Sequence, residues 1–312
     1  MEKADFGKMM SSCSLCPRKC RADRLSGRTG FCGMDADIHA ARAALHMWEE
    51  PCISGSRGSG TVFFSGCTLR CVFCQNYKIA SGSYGETISP KRLAAIFLEL
   101  QQQGAANINL VTPTHFLPQI IEALDYVKYD QLHIPVVYNT SGYENTESLK
   151  MLEGYVDIYL PDFKYMDAGL AGKYSNAPDY PETAKAALAE MVRQTGSPAF
   201  SEDGMMKKGV IVRHLMLPGQ LMDSKHVVKY LYETYGDRIF MSLMNQYTPL
   251  EQVKNIPELN RTVKKQSYKK LIDYALALGV SQAFIQEGET AKESFIPDFE
   301  CQGIAGKDIV IE

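Results

Sequence analysis

The feature that most constrains the fold is the alternation of short apolar runs with longer amphipathic stretches from residue 61 onward. The apolar runs predict strands at 61–65, 107–111, 135–139, 156–160, 209–217, 239–244 and 283–286. The amphipathic stretches predict helices at 90–103, 117–129, 146–153, 181–195, 224–235 and 261–278. Strands that are apolar throughout and alternate with helices are typical of βαβ units with a parallel sheet covered on both faces. The pattern therefore predicts a full or partial α/β barrel.

Composition excludes several other classes of protein. The 312 residues carry a net charge of −3 and are 45% hydrophobic, which is the balance of a packed globular chain and not of a disordered one. A net charge this close to zero does not indicate a protein that binds nucleic acid through its overall charge. The first residues contain no apolar leader, and no run approaches the roughly 18 apolar residues of a membrane span. We expect a cytoplasmic protein with no membrane partner.

The start of the chain differs in composition from the rest. Residues 1–55 are rich in Cys, Arg and Gly, and the glycine-rich connector at 54–60 follows them. The predicted division is a Cys-rich metal-binding segment at 1–55, a core at 56–288 and a C-terminal tail at 289–312. An apolar patch at 295–299 is expected to pack against the barrel.

One amphipathic stretch, at 38–48, predicts a short helix inside the first segment. His46, Glu49 and Glu50 lie at its end. The expected arrangement is a solvated helix end, and a substrate-facing role is the alternative.

Nine cysteines carry most of the chemical information. An odd number in a chain without a leader argues against a disulfide framework and favours metal or redox chemistry. Cys52 and Cys301 stand apart as ordinary thiols, and the other seven form two groups. In the second group, Cys67, Cys71 and Cys74 are spaced by three residues and then two, directly after the first predicted strand of the barrel. Three thiolates with no local fourth favour a cluster that keeps one position open over a closed zinc site.

The first group is a complete four-thiolate set, Cys13, Cys16, Cys20 and Cys32. Four thiolates serve a structural zinc or a second [4Fe–4S] cluster equally, and we favour the cluster. The surrounding residues are basic and poor in apolar side chains, so this segment is predicted to need a metal in order to fold. A small nucleic-acid knuckle is a further alternative.

Polar side chains follow four predicted strands, at 112–115, 139–142, 162–164 and 245–247. Active sites of α/β barrels gather at the carboxyl ends of the strands. These four runs therefore predict one site, although a polar residue at a strand end can equally be a helix cap.

The Cys67, Cys71 and Cys74 loop, with Phe73 and Asn76 beside it, resembles the radical S-adenosylmethionine (SAM) superfamily. The run Phe63-Phe64-Ser-Gly before it resembles the branch of pyruvate formate-lyase activating enzymes, and the whole chain resembles uncharacterised relatives with a Cys-rich N-terminal segment. The resemblance implies a partial (β/α)6-type TIM barrel as the core. It also implies a [4Fe–4S] cluster on the three cysteines, with SAM on the open iron.

The same resemblance implies a set of site residues. Thr112 and Thr114 occupy the place of a Gly-Gly-Glu stretch that contacts SAM in many relatives, so the usual carboxylate is absent there. His115 becomes the candidate catalytic residue, with a capping or buried structural histidine as the alternative. The implied cofactor-binding residues are Phe73, Thr112, Thr114, Asn139, Thr140, Asp162, Lys164, Arg213, His214 and Gln246. Because neighbours on a strand face opposite ways, one residue of the pair Arg213 and His214 is expected to point inward.

The predicted function is that of a radical SAM enzyme. It would cleave SAM reductively to a 5′-deoxyadenosyl radical and abstract a hydrogen atom from an unknown substrate, which could be a protein, an RNA or a small molecule. The chemistry implies a low-potential electron donor such as flavodoxin or ferredoxin. The alternatives are an activase of a glycyl-radical enzyme and a non-catalytic metal-binding or redox module.

Overall fold

The computed structural model describes residues 6–286, Pro297 and 299–310. Its strands are β1 (Ile38–His46), β2 (Ser59–Phe64), β3 (Glu86–Ile88), β4 (Ile108–Val111), β5 (Val136–Thr140), β6 (Ile158–Pro161), β7 (Ala199–Phe200), β8 (Met206–Leu215), β9 (Phe240–Met244) and β10 (Ala283–Ile285). Its helices are α1 (Phe6–Ser11), α2 (Pro51–Ser54), α3 (Tyr77–Ala80), α4 (Pro90–Gln102), α5 (Leu117–Val127), α6 (Thr146–Lys150), α7 (Ala168–Ser175), α8 (Tyr180–Thr195), α9 (Leu221–Tyr235) and α10 (Lys265–Leu278).

The strands form one sheet in the order β10-β9-β8-β6-β5-β4-β2-β1-β3, with β7 paired to β8. From β2 to β10 along this path the neighbouring strands are parallel. Residues of β2, β4, β5 and β6 are buried throughout, because helices cover the outer face of the sheet. This arrangement confirms the predicted α/β class with a partial barrel.

The predicted helix at 38–48 is wrong, because residues 38–46 form strand β1 instead. This strand pairs antiparallel with β2 on one side and with β3 on the other. Its four alanines favour a helix locally, but the free edge of β2 offers backbone hydrogen bonds that outweigh this weak propensity. The Cys-rich segment therefore contributes a strand to the barrel sheet.

The N-terminal segment is held to the barrel by apolar and polar contacts, and its Cys32 and Met34 are buried in the main core cluster. Its own apolar cluster is small and centres on Met10, Cys13 and Leu15. The buried side chain of Arg24 donates to the backbone carbonyls of Asp35 and His115, which joins the segment to the loop after β4. The predicted boundary after residue 55 falls between α2 and β2.

The C-terminal segment packs against α4, β1 and β2. Arg92 in α4 donates to the carbonyls of Ile304 at 2.9 Å and Ala305 at 3.0 Å. From the predicted apolar patch, Phe299 contacts Phe63 with ring centroids 5.5 Å apart. Residues 295, 296 and 298 of that patch and the predicted boundary at 288 lie outside the described residues. Within the part of the chain that the structure describes, no helix is long and apolar enough to cross a membrane.

Candidate functional site

A cleft lies where the carboxyl ends of the parallel strands meet. Eight of the predicted site residues line it: Cys71, Phe73, Cys74, Asn139, Asp162, Lys164, Arg213 and Gln246. They come from the loop after β2 and from β5, the loop after β6, β8 and the loop after β9. Side chains far apart in sequence therefore converge because parallel strands end at the same edge of the barrel.

The three-cysteine loop begins at Gly66, whose backbone has a φ of 83° that favours glycine. A tight turn then carries the Cys74 N–H to the carbonyl of Cys71 at 3.1 Å. Ser175 donates to the Cys71 sulfur at 3.0 Å. Burial raises the pKa of Cys71 and of Cys74. The neighbouring Cys67 raises both pKa values further, whereas the Lys164 ammonium lowers them.

Three neighbouring thiols beside a cation form a donor set that fits an iron–sulfur cluster, because sulfur ligands and a positive neighbour favour an anionic metal–thiolate centre. Among the residues that the structure describes, no group of three or more His, Cys, Asp and Glu side chains is placed to share a single metal ion.

The cleft is also lined by a charged cluster of Asp162, Lys164 and Arg213. Lys164 Nζ lies 2.6 Å from one oxygen of Asp162, and Arg213 Nε lies 3.2 Å from the other. Burial alone would raise the pKa of Asp162, but the two cations outweigh burial and hold it below its usual value. Asp162 in turn raises the pKa of Lys164 and of Arg213 against the effect of burial. All three side chains are therefore charged at neutral pH.

Glu49 joins this cluster, although sequence reasoning placed it on a solvated helix end. One carboxylate oxygen lies 3.1 Å from Arg213 Nη1, and the other accepts from Asn109 at 2.8 Å. That expectation is wrong for Glu49. Residues 38–46 form a strand of the sheet, and residues that follow this strand line the cleft. The paired acids directly before Pro51 were the available sequence signal.

The neighbours of Glu49 are shielded from solvent as well. His46 lines the cleft, and burial, helped by the charges of Arg42 and Arg213, lowers its pKa. Glu50 is buried, and burial raises its pKa. The expectation of a solvated end therefore fails for these two residues also.

The threonines predicted to contact SAM do not line the cleft. Thr114 donates to Glu144 at 2.6 Å, and Thr140 donates to the same carboxylate oxygen. Burial raises the pKa of Glu144 to about 7 although both hydroxyl bonds oppose the rise. Thr112 adopts a φ of 59° at the end of β4 and also lies outside the cleft. Glu144 was not predicted, since its buried position behind two strand ends leaves no local sequence pattern.

His115 and His214 lie behind the cleft and not in it. His115 Nε2 is 2.6 Å from the carbonyl oxygen of Ser65, and His214 Nδ1 is 2.7 Å from that of Phe163. Burial lowers the pKa of His115 to about 3 and that of His214 to about 4, so both rings are neutral at pH 7. On β8 the alternation of faces turns Arg213 toward the cleft and His214 away from it.

Tight turns bring the four N-terminal cysteines together beside the three-cysteine loop of Cys67, Cys71 and Cys74. Arg21 N–H donates to the carbonyl of Cys13 at 2.9 Å, and Gly30 lies so close to Cys20 that an added Cβ would be 2.5 Å from its sulfur. Burial raises the pKa of Cys16 to about 12, and the neighbouring thiols add to the rise. Cys13, Cys16 and Cys32 are buried, whereas Cys20 is exposed. Four sulfur donors are the number that a structural zinc or a [4Fe–4S] cluster uses, although the described cysteines are not placed to share a single metal ion in this structure.

Known proteins resemble this chain in sequence or in fold. The chain is 28% identical over 283 residues to the protein named "Uncharacterized protein MJ0674" of Methanocaldococcus jannaschii, which covers 88% of this chain and 77% of that one. Among solved structures, HydG, a maturase of the [FeFe]-hydrogenase, shows a TM-score of 0.49 and 16% identity over 74% of this chain and 52% of its own. Streptococcus suis SuiB bound to S-adenosylmethionine gives a TM-score of 0.48 and 13% identity, over 71% and 48%. The chain spans about half the length of these two solved proteins.

The decisive comparison is with a family model described as "Radical SAM superfamily", which matches residues 61–231. The match covers more than half of the chain and includes the three-cysteine loop, Asn139, Asp162, Lys164 and Arg213. The chain belongs to the radical SAM superfamily.

Proposed function

We propose that this protein cleaves S-adenosylmethionine reductively at a [4Fe–4S] cluster held by Cys67, Cys71 and Cys74, and uses the resulting radical to abstract a hydrogen atom from a substrate in the same cleft. The observation that carries the proposal is the meeting of Cys71 and Cys74 with the charged cluster of Asp162, Lys164 and Arg213 in one cleft. When bound, the cluster supplies one electron to SAM, and the organic chemistry belongs to the cofactor.

The charged cluster is proposed to bind the methionine end of SAM. Lys164 is a point charge suited to a carboxylate, and Asp162 at 2.6 Å fixes its position. Arg213 adds a second positive charge, which its contacts with Asp162, Glu49 and Asn139 hold in place. Glu49 supplies a carboxylate inside the cleft, where the Thr112 and Thr114 region of the sequence does not. We propose that Glu49 orients Arg213 and balances its charge.

The remaining lining residues are proposed to face the adenosine and the substrate. Phe73 belongs to the three-cysteine loop and Gln246 to the loop after β9, and Gln75 donates to the Gln246 carbonyl at 3.4 Å, which connects the two loops. His46 and Phe63 line the other side of the cleft. Since the lowered pKa of His46 keeps its ring neutral, this wall offers flat, uncharged surfaces to a substrate.

We propose a second [4Fe–4S] cluster at Cys13, Cys16, Cys20 and Cys32, with zinc as the alternative. In either case the metal would organise a segment whose own apolar cluster is small. None of the nine cysteines forms a disulfide in the structure. Free thiols suit the reducing cytoplasm, which is where we propose that the protein works with a low-potential one-electron donor.

The test is anaerobic turnover with dithionite and SAM, followed by measurement of 5′-deoxyadenosine and methionine. We expect both products from the wild-type protein, and none from Cys71→Ala. Lys164→Ala should keep its iron and bind SAM at least tenfold more weakly, because removal of a paired, shielded cation costs about 1.5–3 kcal/mol. Cys301→Ala is the matched control, since Cys301 lies outside the cleft and should leave turnover unchanged. A wild-type protein with a full complement of iron that forms no 5′-deoxyadenosine would refute the proposal.

A further inference from the structure

The exposed face of the N-terminal cysteine segment is positively charged. The chain has a net charge of −3, whereas residues 13–32 contain five basic side chains and one acidic side chain. Arg18 and Arg24 point into the protein and donate to backbone carbonyls. Lys19, Arg21 and Arg28 are exposed, and no ion pair with another described residue neutralises them. A concentrated positive surface therefore lies on an otherwise mildly acidic chain.

Cys20 lies between Lys19 and Arg21 in the chain. It is exposed, unlike Cys13, Cys16 and Cys32. The residues on both sides of it, Lys19 and Arg21, adopt left-handed backbone conformations with φ values of 43° and 58°. Such conformations are uncommon for residues other than glycine and require support from the surrounding structure. A metal centre held by Cys20 would therefore reach the surface between two cations.

At Cys32, the N-terminal segment contacts the three-cysteine loop. The Cys67 N–H donates to the carbonyl of Cys32 at 3.4 Å. Gly66 is packed so closely that an added Cβ would lie 2.8 Å from the Cys32 oxygen and 2.5 Å from Met34. The two cysteine sets are thus adjacent: Cys20 of one set is exposed to solvent, and Cys71 and Cys74 of the other line the cleft.

We infer that Lys19, Arg21 and Arg28, around Cys20, form the docking surface for an acidic protein that delivers single electrons at low potential. The inference rests on the proposed function, which needs one electron for each SAM cleaved. In the step considered, the reduced carrier loses one electron and the centre held by the four N-terminal cysteines gains it, with no bond made and no proton moved. Opposite charges on the two surfaces would raise their association rate by a factor of about 10 to 1,000 at low salt.

The surroundings of Phe31 favour a protein carrier over a nucleic acid. Nucleic acids bind basic surfaces tightly when aromatic rings are free to stack with bases. The Phe31 ring is instead covered by the guanidinium groups of Arg18 at 4.0 Å and Arg70 at 5.5 Å. The surface therefore offers charge without an open stacking face.

The first experiment uses the variant in which Cys67, Cys71 and Cys74 are all alanine, which leaves only the N-terminal set of predicted ligands. We expect this variant to retain iron, and its absorbance to bleach when it is mixed with reduced flavodoxin, as an acidic one-electron carrier, in a stopped-flow instrument. The rate should fall as salt is raised. Zinc without iron, or no oxidation of the flavodoxin, would overturn the inference. These readouts do not depend on SAM cleavage.

The second experiment reverses the charges in the otherwise wild-type protein. The variant K19E/R21E/R28E should be reduced by flavodoxin roughly tenfold or more slowly at low salt and should lose most of the salt dependence. The matched control K207E/K208E/K270E changes three exposed lysines outside the segment and should behave like wild type. K19Q/R21Q/R28Q, which perturbs folding less, should show an intermediate loss. Equal rates for all four proteins would overturn the inference.

Two further measurements separate the possible failures. With dithionite as reductant, the charge-reversed variant should produce 5′-deoxyadenosine at the wild-type rate, because a small reductant does not need the surface. If no protein produces it with dithionite, the proposed function fails, whereas flavodoxin oxidation still reports on docking. Steeply salt-dependent RNA binding that is lost in K19E/R21E/R28E, together with unchanged flavodoxin rates, would assign the surface to nucleic acid and overturn the inference.

Discussion

Replacing Glu144 by glutamine should make the stability of the protein less sensitive to pH. Glu144 is buried behind the ends of β4 and β5, where the hydroxyl groups of Thr114 and Thr140 donate to one of its oxygens. Burial raises its pKa from 4.5 to about 7. Because the folded-state pKa is the higher one, the stabilising contribution of this group is complete below pH 4.5 and is lost as the pH rises toward 7.

The size of the effect follows from the two pKa values of Glu144. The full difference corresponds to about 3 kcal/mol in the free energy of unfolding, and the part lost between pH 5.5 and 8.5 is about 2 kcal/mol. Glutamine keeps the shape and both hydroxyl bonds but cannot ionise. The wild-type protein should therefore lose about 2 kcal/mol relative to Glu144→Gln over this pH interval.

The assay is anaerobic urea unfolding of both metal-loaded proteins at pH 5.5, 7.0 and 8.5. All ionisations that the two proteins share cancel in the difference between them. Glu147→Gln serves as the control, since the Glu147 side chain is 74% exposed and should leave the pH dependence unchanged. If the difference in the free energy of unfolding between wild type and Glu144→Gln stays constant across the three pH values, the pKa of Glu144 is not raised by burial. That result would refute the reasoning.

Three other changes test separate parts of the structure. Glu49→Gln should keep the iron content and lower SAM cleavage roughly tenfold, because the Arg213 guanidinium loses a charged partner at 3.1 Å; unchanged cleavage would exclude a positioning role. His115→Gln should leave the shape of the pH–rate profile between pH 6 and 8.5 unchanged, since a pKa of about 3 keeps the ring neutral throughout; a shifted profile would restore His115 as a candidate catalytic group. Arg92→Met should lower the free energy of unfolding by about 2–4 kcal/mol and expose the C-terminal segment to proteases, because several carbonyls near Ile304 lose their donor; equal protease resistance would contradict this anchoring role.

The sequence was most informative where a feature is local. The spacing of Cys67, Cys71 and Cys74 lies within one loop, and the predicted strands of the barrel fall within a few residues of the observed ones. Asn139, Asp162 and Arg213 could be placed at one edge because parallel strands end together, whatever the details of packing.

The direction of a side chain, and the group or strand with which it pairs, could not be predicted from local sequence. Thr114 and Thr140 end their strands as predicted, yet both point to a buried carboxylate that no motif marks. Residues 38–46 have the composition of a helix and pair as a strand because β2 presents a free edge, which is a property of the assembled sheet. Since Glu49 follows that strand, the wrong element also gave the wrong position for a residue of the site.

The N-terminal segment is part of the structure that surrounds the cleft and not an appended module. It contacts the barrel through three different elements: the Cys32 carbonyl bonds to the cluster loop at Cys67, Arg24 bonds to the backbone of the loop after β4, and Glu49 pairs with Arg213 on β8. Each contact ends on a residue of the cleft or directly behind it. If the four cysteines hold a metal as proposed, its removal should shift the three-cysteine loop and, through Glu49, alter the charge around Arg213. Metal loading at the N-terminal cysteines and SAM binding in the cleft should accordingly be coupled even when no electron passes between them.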